Sequence, residues 1–422
     1  MRLHAHIRML LFCATLIRVA TPLCAQEIGI NWPDFRGPRG DGHAVGAIPP
    51  TKWGESQLVR WKVAVPGKGW SSPVVWGNQI WLSTASEDGK RRFALAYDRE
   101  SGKLLYEITL FEIESPETIN ETNTFASPSP VIEEGRVYFH FGSAGTACVD
   151  TQSAAVLWKR DDLKVNHKEG AGSSPLLADN FLVIPCDGTD LQYVTALNKQ
   201  TGETIWKTQR SVDLSAVRDD MRKAFSTPIL LQEGDRKLVI LPGAHATMAY
   251  ELTSGQEVWK YRYNGFSNVA RPVVGHGMVF LNTGYMRPKA LALRLGSSGE
   301  VTDANCAWSA ERAIPNKPSF LLVEDLLYMV TDKGGVLTCL DAKTGEQVYQ
   351  ERLGGNFSAS PLCANGLIYL CDEEGKTTVL RHGRKFETVA VNELAEGCMA
   401  CPAASGNSLI LRTRTQLYRI GE

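Results

Sequence analysis

From about residue 70 onward, short apolar runs alternate with polar turns in a rhythm suited to strands rather than helices. A proline, in six of the eight units preceded by a small residue, opens each unit. Ser-Ser-Pro-Val at 71–74 recurs as Ser-Pro-Val at 129–131, Ser-Ser-Pro-Leu at 173–176 and Ser-Thr-Pro-Ile at 226–229. Ala-Arg-Pro-Val at 270–273, Lys-Pro-Ser at 317–319, Ala-Ser-Pro-Leu at 359–362 and Ala-Cys-Pro-Ala at 400–403 complete the series. After each proline an apolar run meets a polar turn, then a β-branched and aromatic segment such as Arg136–Phe141 or Leu367–Cys371. A Gly-rich turn, a segment like Leu337–Asp341, a Thr-Gly or Ser-Gly step and an aromatic segment follow. Four short strands separated by turns therefore make up each unit.

That unit is the blade of a β-propeller. The prolines at 73, 130, 175, 228, 272, 318, 361 and 402 mark eight blades. The closing aromatics Tyr106, Trp158, Trp206, Trp259, Trp308, Tyr349 and Phe386 fall one between each consecutive pair. After Pro402 there are three strand candidates and no fourth, while an unassigned aromatic strand surrounds Trp61. The reading is all-β: an eight-bladed propeller of four-stranded antiparallel blades over 57–422, its last blade completed by the N-terminal strand. Closure of this kind removes the free sheet edge. The pattern is weakest around Leu295–Ala307 and His382–Arg384. Leu214, Val217 and Met221, spaced helically after Ser211, predict a short helix packed on the propeller. Glu107–Asn123 predicts an acidic loop over the rim.

Residues 1–25 have a basic start at Arg2 and Arg8, an apolar stretch from Met9 to Ile17 and a small residue, Ala25. This predicts a signal peptide cleaved after Ala25 and an exported chain, periplasmic or extracellular, with lipidation at Cys24 as the lesser alternative. Residues 26–56 form a Gly/Pro-rich arm. The balance of 45 basic against 46 acidic residues argues against nucleic acid as a partner. No stretch after the leader is long and apolar enough to span a bilayer, leaving peripheral envelope association as the membrane option, and a monomer is expected.

The Leu-Asp-Ala-x-Thr-Gly step of Val336–Tyr349, and its counterpart in Val194–Trp206, resemble the repeat of pyrroloquinoline-quinone-type (PQQ-like) propellers. Trp32–Gly42 and Cys186–Asp190 resemble marks of secreted bacterial members of this family without assigned activity. The wider resemblance takes in quinone-dependent alcohol dehydrogenases and the propeller lipoproteins that assist outer-membrane protein assembly. It implies the fold far better than the function. The dehydrogenases carry adjacent cysteines against their cofactor, and no two cysteines are adjacent here. His-Glu-x-x-His, Gly-x-Ser-x-Gly and Gly-x-Gly-x-x-Gly signatures are also missing from the sequence. No catalytic residue, metal or cofactor is assigned. The expected function is a non-catalytic module binding a protein or small ligand. The alternative is an oxidoreductase using PQQ with calcium, or a metal, in an atypical site.

Ligands of propellers usually bind where the loops entering the inner strands meet those joining second and third strands. Here those loops supply Trp70, Asn123, Phe125, His167, Lys168, Glu169, Asp187, Arg222, Phe225, His245, Asn268, Arg271 and Lys317. The mixture of aromatic and basic groups suits an anionic or carbohydrate-like ligand or a peptide segment. Cys148 and Cys339 fill an alanine-sized slot of the third strand. Cys398-Met-Ala-Cys401 has the spacing of a local disulfide or a redox pair.

Overall fold

The computed structural model describes residues 29–422, and the leader assigned to 1–25 lies outside them. Eight antiparallel sheets follow one another along the chain, and the first strands of neighbouring blades touch around a central channel. The first blade, for example, comprises Val74–Trp76, Gln79–Ala85, Arg91–Asp98 and Leu104–Glu112. In the eighth, Val59–Ala64 pairs antiparallel with the final strand Gln416–Gly421, setting Trp61 opposite Arg419.

The two repeated signatures are the two joints between blades. Four of the outer-strand tryptophans lie on the turn of the following blade and donate their Nε1–H to a carbonyl there. Trp61 meets Arg99 at 2.9 Å, Trp158 meets Lys199 at 3.0 Å, Trp206 meets Leu252 at 2.9 Å and Trp308 meets Ala342 at 2.9 Å. The glycine of that turn is required twice over: Gly102 has φ +72°, and a Cβ there would lie 2.7 Å from the Trp61 ring.

The residue before each proline, or after it at Pro318, forms the inner joint. Ser72 donates its backbone N–H to Ser129 Oγ (2.8 Å), Ser129 to Ser174 (2.9 Å) and Ser174 to Thr227 (3.0 Å). Beyond blade five, Arg271 donates to Ser319 (2.9 Å), Ser319 to Ser360 (2.9 Å), Ser360 to Cys401 Sγ (3.0 Å) and Cys401 to Ser72 (3.0 Å). The circle is interrupted only between Thr227 and Arg271, because a guanidinium offers no acceptor.

Blade five departs from the repeat where the sequence did. Its last connection carries the strand Gly299–Val301, which pairs in parallel with the outer strand Glu257–Arg262 of blade four. The expected helix after Ser211 is not formed; that segment is coil with a single 3-10 turn, Asp219–Met221. Its apolar stripe is accounted for by packing, since Leu214, Val217 and Met221 cover Ala244 and Phe266.

The arm fills the channel. Trp32 exchanges backbone hydrogen bonds with Val75 of blade one (2.8 and 2.9 Å), and Ile132 of blade two donates to Pro33 O. Arg271 of blade five pairs with Asp34 (2.9 Å) and donates to Phe35 O (2.5 Å). His43 Nε2 meets Leu322 O of blade six at 2.6 Å, and His43–Ala44 runs parallel to Leu362–Ala364 of blade seven. Gly29 O accepts from Gly406 (2.6 Å), and Gly406 O accepts from Ile48 (3.2 Å). The segment therefore enters and leaves beside a first-to-second-strand hairpin, as a loop pushed into the ring. Gly37, with φ +84°, lies under the Trp32 ring, where a Cβ would come within 2.7 Å. The chain then passes beneath blade seven, Trp53 stacked on Tyr369, and becomes the outer strand of blade eight.

Candidate functional site

On the opposite face, the entering loops lie alongside those joining second and third strands, as expected. Thr189 N–H donates to Asn166 O (2.8 Å), Tyr285 to Phe266 O (2.7 Å), Phe357 to Asp332 O (2.9 Å) and Glu373 to Asn356 O (2.8 Å). This places the thirteen candidate side chains on one face, but most are turned inward.

Asp187 and Arg210 form a bidentate pair with both N–O distances 2.5 Å, their side chains 2% and 3% exposed. Burial works against the Arg210 charge, but the facing Asp187 carboxylate outweighs it and raises the pKa. Arg271 is buried against the arm, and Asn268 donates to Tyr263 Oη (3.0 Å) and Asn282 O (3.1 Å) with no exposure. Arg271, Asp187 and Asn268, expected on an open face, are thus internal ties between loops and blades. Asn123 Nδ2 donates to Glu169 O (2.7 Å), Trp70 Nε1 to Thr122 O (3.2 Å) and Arg222 Nε to Val217 O (2.7 Å). Phe125 lies under the Arg92 guanidinium, and Phe225 is buried with its N–H on Asn268 O (2.7 Å). Lys317 Nζ reaches Ser358 Oγ (2.6 Å) and Glu373 (3.2 Å), Glu169 pairs with buried Lys223 (3.3 Å), and Lys168 is exposed with φ +61°.

Two of the candidate histidines keep unpartnered nitrogens. His167 is 5% exposed with neither ring nitrogen hydrogen-bonded, and its neighbour His140 meets Thr146 Oγ1 at 2.8 Å. Burial pushes His167 down to about 4, and burial with repulsion from His167 takes His140 to about 3. Both are neutral at pH 7. His245 leaves Nε2 free and lies parallel to Phe266, with ring centroids 6.4 Å apart.

The PQQ-like fold raises the question of the quinone. PQQ is flat and carries several carboxylates, so it needs an open slot with uncommitted cations. Around this mouth Arg412 is held by Ser71 Oγ (2.6 Å) and Ser83 O (2.9 Å), Arg271 by Asp34, Lys223 by Glu169 and Lys317 by Glu373. Among the described residues no three His, Cys, Asp or Glu converge as metal ligands. The residues present do not fit the quinone with its calcium.

What the face does present is apolar. Leu191 is 47% exposed, Tyr285 56% and Met286 70%. Tyr285 stands edge-on to Phe266 at 6.0 Å, giving a base of His245, Phe266 and Tyr285 rings. Leu191 and Met286 were missing from the sequence candidates. Their only signal was a large apolar residue in a second-to-third-strand loop, where polar turn residues are the rule.

Cys398 and Cys401 are both free thiols, and Cys401 Sγ is occupied as the acceptor for Ser360 N–H. Cys148 and Cys339 are fully buried in the third strands, opposite Tyr138 and Tyr328.

A family model described as "Outer membrane protein assembly factor BamB" matches residues 190–328 and 307–385. Among solved structures, BamB from Moraxella catarrhalis is 11% identical, with a TM-score of 0.59 over 86% of this chain and 99% of its own. A europium-containing methanol dehydrogenase is 10% identical, with a TM-score of 0.69 over 94% and 99%. The quinohemoprotein alcohol dehydrogenase from Comamonas testosteroni is 10% identical, with a TM-score of 0.68 over 94% and 81%. No curated protein matches the sequence. At these identities the structural likeness is one of fold, and it extends to an assembly factor and to dehydrogenases alike. The family match spans residues 190–385, across the central and later blades, and the chain is an eight-bladed β-propeller that over this stretch resembles the PQQ-like repeat family.

Proposed function

We propose that the chain is an exported, non-catalytic propeller, monomeric on its own, that binds a protein partner through the face carrying Leu191, Tyr285 and Met286. The observation that carries this reading is the division of labour on that face. Most polar side chains around the mouth are spent on internal partners, while Tyr285, seated on the Phe266 ring, and Met286 beside it protrude, as does Leu191. Tyr and Met are enriched at the cores of protein interfaces, and a supported aromatic loses little freedom on binding. The assembly-factor family match supports the same class of function. The dehydrogenase likeness supports a second reading, quinone-dependent oxidation, which the test separates.

A photoreactive residue placed at position 285 of the exported chain should capture a partner that the same residue at Val391, 54% exposed on an outer strand, does not. The partner should then bind purified wild type at least about tenfold more tightly than the Tyr285→Ala/Met286→Ser variant, as expected for loss of anchor residues. Equal capture at both positions would count against the assigned face. Stoichiometric PQQ uptake in the presence of Ca²⁺, with dye reduction by alcohols, would overturn the non-catalytic reading.

A further inference from the structure

Cys371 ends the second strand of blade seven, and Cys398 lies in the loop that enters blade eight. The loop is laid against that strand end by the Cys398 N–H, which donates to Asp372 O at 2.9 Å. Gly397 packs directly on the Glu373 carbonyl, leaving no room for a side chain between the two segments. Beneath this contact both thiols belong to one apolar cluster, at 2% and 3% exposure. Thr377 Oγ1 donates to Cys371 Sγ at 3.4 Å. The nearby Cys401 is committed to the inner hydrogen-bonded circle, and Cys363 sits on the inner strand facing Ile368 across the hairpin.

We propose that Cys371 and Cys398 are the site of a disulfide staple joining blade seven to blade eight, formed by exchange with an external disulfide. The Cys371 thiolate attacks one sulfur of the oxidant, making a mixed disulfide and releasing one thiol. Cys398 then gives up its proton and its sulfur displaces the second thiol, closing the protein bond. Two electrons and two protons leave the protein pair and reduce the oxidant disulfide to two thiols. In the folded pair the neighbouring Cys398 thiol holds Cys371 below its ordinary pKa, while Cys398 is raised above its own. Burial sets the timing: the bond forms while the blades are still closing and is afterwards shielded from reductants. The inference stands apart from the assignment of a partner face.

The test is refolding of the reduced full chain in a mixture of reduced and oxidised glutathione, followed by alkylation, digestion and fragmentation of the peptides. A cross-link between Cys371 and Cys398 that parts on reduction is expected, with the remaining cysteines alkylated. The cross-link should persist in Cys363→Ser and Cys401→Ser and vanish in Cys371→Ser. The oxidised wild type should melt several degrees above the reduced form, with no such difference in Cys398→Ser. Alkylation of both Cys371 and Cys398 in the refolded wild type would overturn the proposal. A Cys398–Cys401 link would do so equally. Both readouts come from the wild type, so a variant that fails to fold leaves the decision intact.

Discussion

The hydroxyl beside an inner-strand proline is an acceptor placed where the neighbouring blade has a buried N–H. Ser319→Ala should orphan the Arg271 N–H and cost about 1–3 kcal/mol in urea unfolding. Cys401→Ser keeps an acceptor there and should cost less. The buried histidines supply a pH dependence. An unfolded histidine titrates near about 6.5, whereas His167 and His140 stay neutral down to about 4 and about 3. Below about pH 6.5 the unfolded chain therefore binds more protons than the folded one, and stability falls with acidification. The fall is at most about 1.4 kcal/mol per pH unit for each ring. Melting curves between pH 7 and pH 5 check it, and His167→Phe should flatten the decline. Glu117 has the opposite sign: burial, opposed by Arg92 and Lys164, lifts it to about 7. Its folded form holds a proton that the unfolded form loses above about pH 4.3, so its contribution drops as pH rises toward and past 7. Glu117→Gln should therefore raise the melting temperature at pH 8. The serines were legible as a repeat. Their role was not, because each acceptor serves a donor one blade away.

Among the elements, the arm is the one whose part the sequence could not convey. Its glycines and prolines mark it only as an arm ahead of the ring, yet it is coiled inside the channel and held by six blades. Arg271→Met should leave the Asp34 carboxylate buried without its partner and destabilise the fold by about 3–5 kcal/mol. Denaturant titration checks this, and a neutral result would mean that the arm leaves the channel in solution. Removing residues 29–48 takes away the plug alone, whereas removing 29–64 also strips the outer strand from blade eight. The longer deletion should be the more damaging, because it reopens the sheet edge at Gln416–Gly421. The segment after Ser211 teaches a complementary lesson. Its apolar spacing was read as helical because period alone cannot tell a helix from a loop whose side chains reach down to Ala244 and Phe266.

At the scale of the molecule, closure lies in blade eight, where Val59–Ala64 meets Gln416–Gly421, and Cys371 of blade seven lies beside the Cys398 loop that enters that blade. A staple across a loop of about 28 residues would remove about 3–4 kcal/mol of unfolded-chain freedom. The difference in denaturation midpoint between oxidised and reduced protein measures it. The candidate face was legible as a location, since loop position follows directly from the repeat. Which of its side chains are free was not legible, because Asp187 finds Arg210 and Arg271 finds Asp34 only in the assembled ring.

The sequence by itself determined the architecture: eight units, their four strands and the borrowed strand at Trp61. Each of these is written in local spacing, with turn residues and strand patterns set by neighbours a few positions away. Only the tertiary structure decided what fills the channel, which cations are neutralised and which thiols meet. Those outcomes depend on contacts such as Asp34–Arg271 and Tyr369–Pro49, between residues hundreds of positions apart. Composition and period carry no record of such distant pairs.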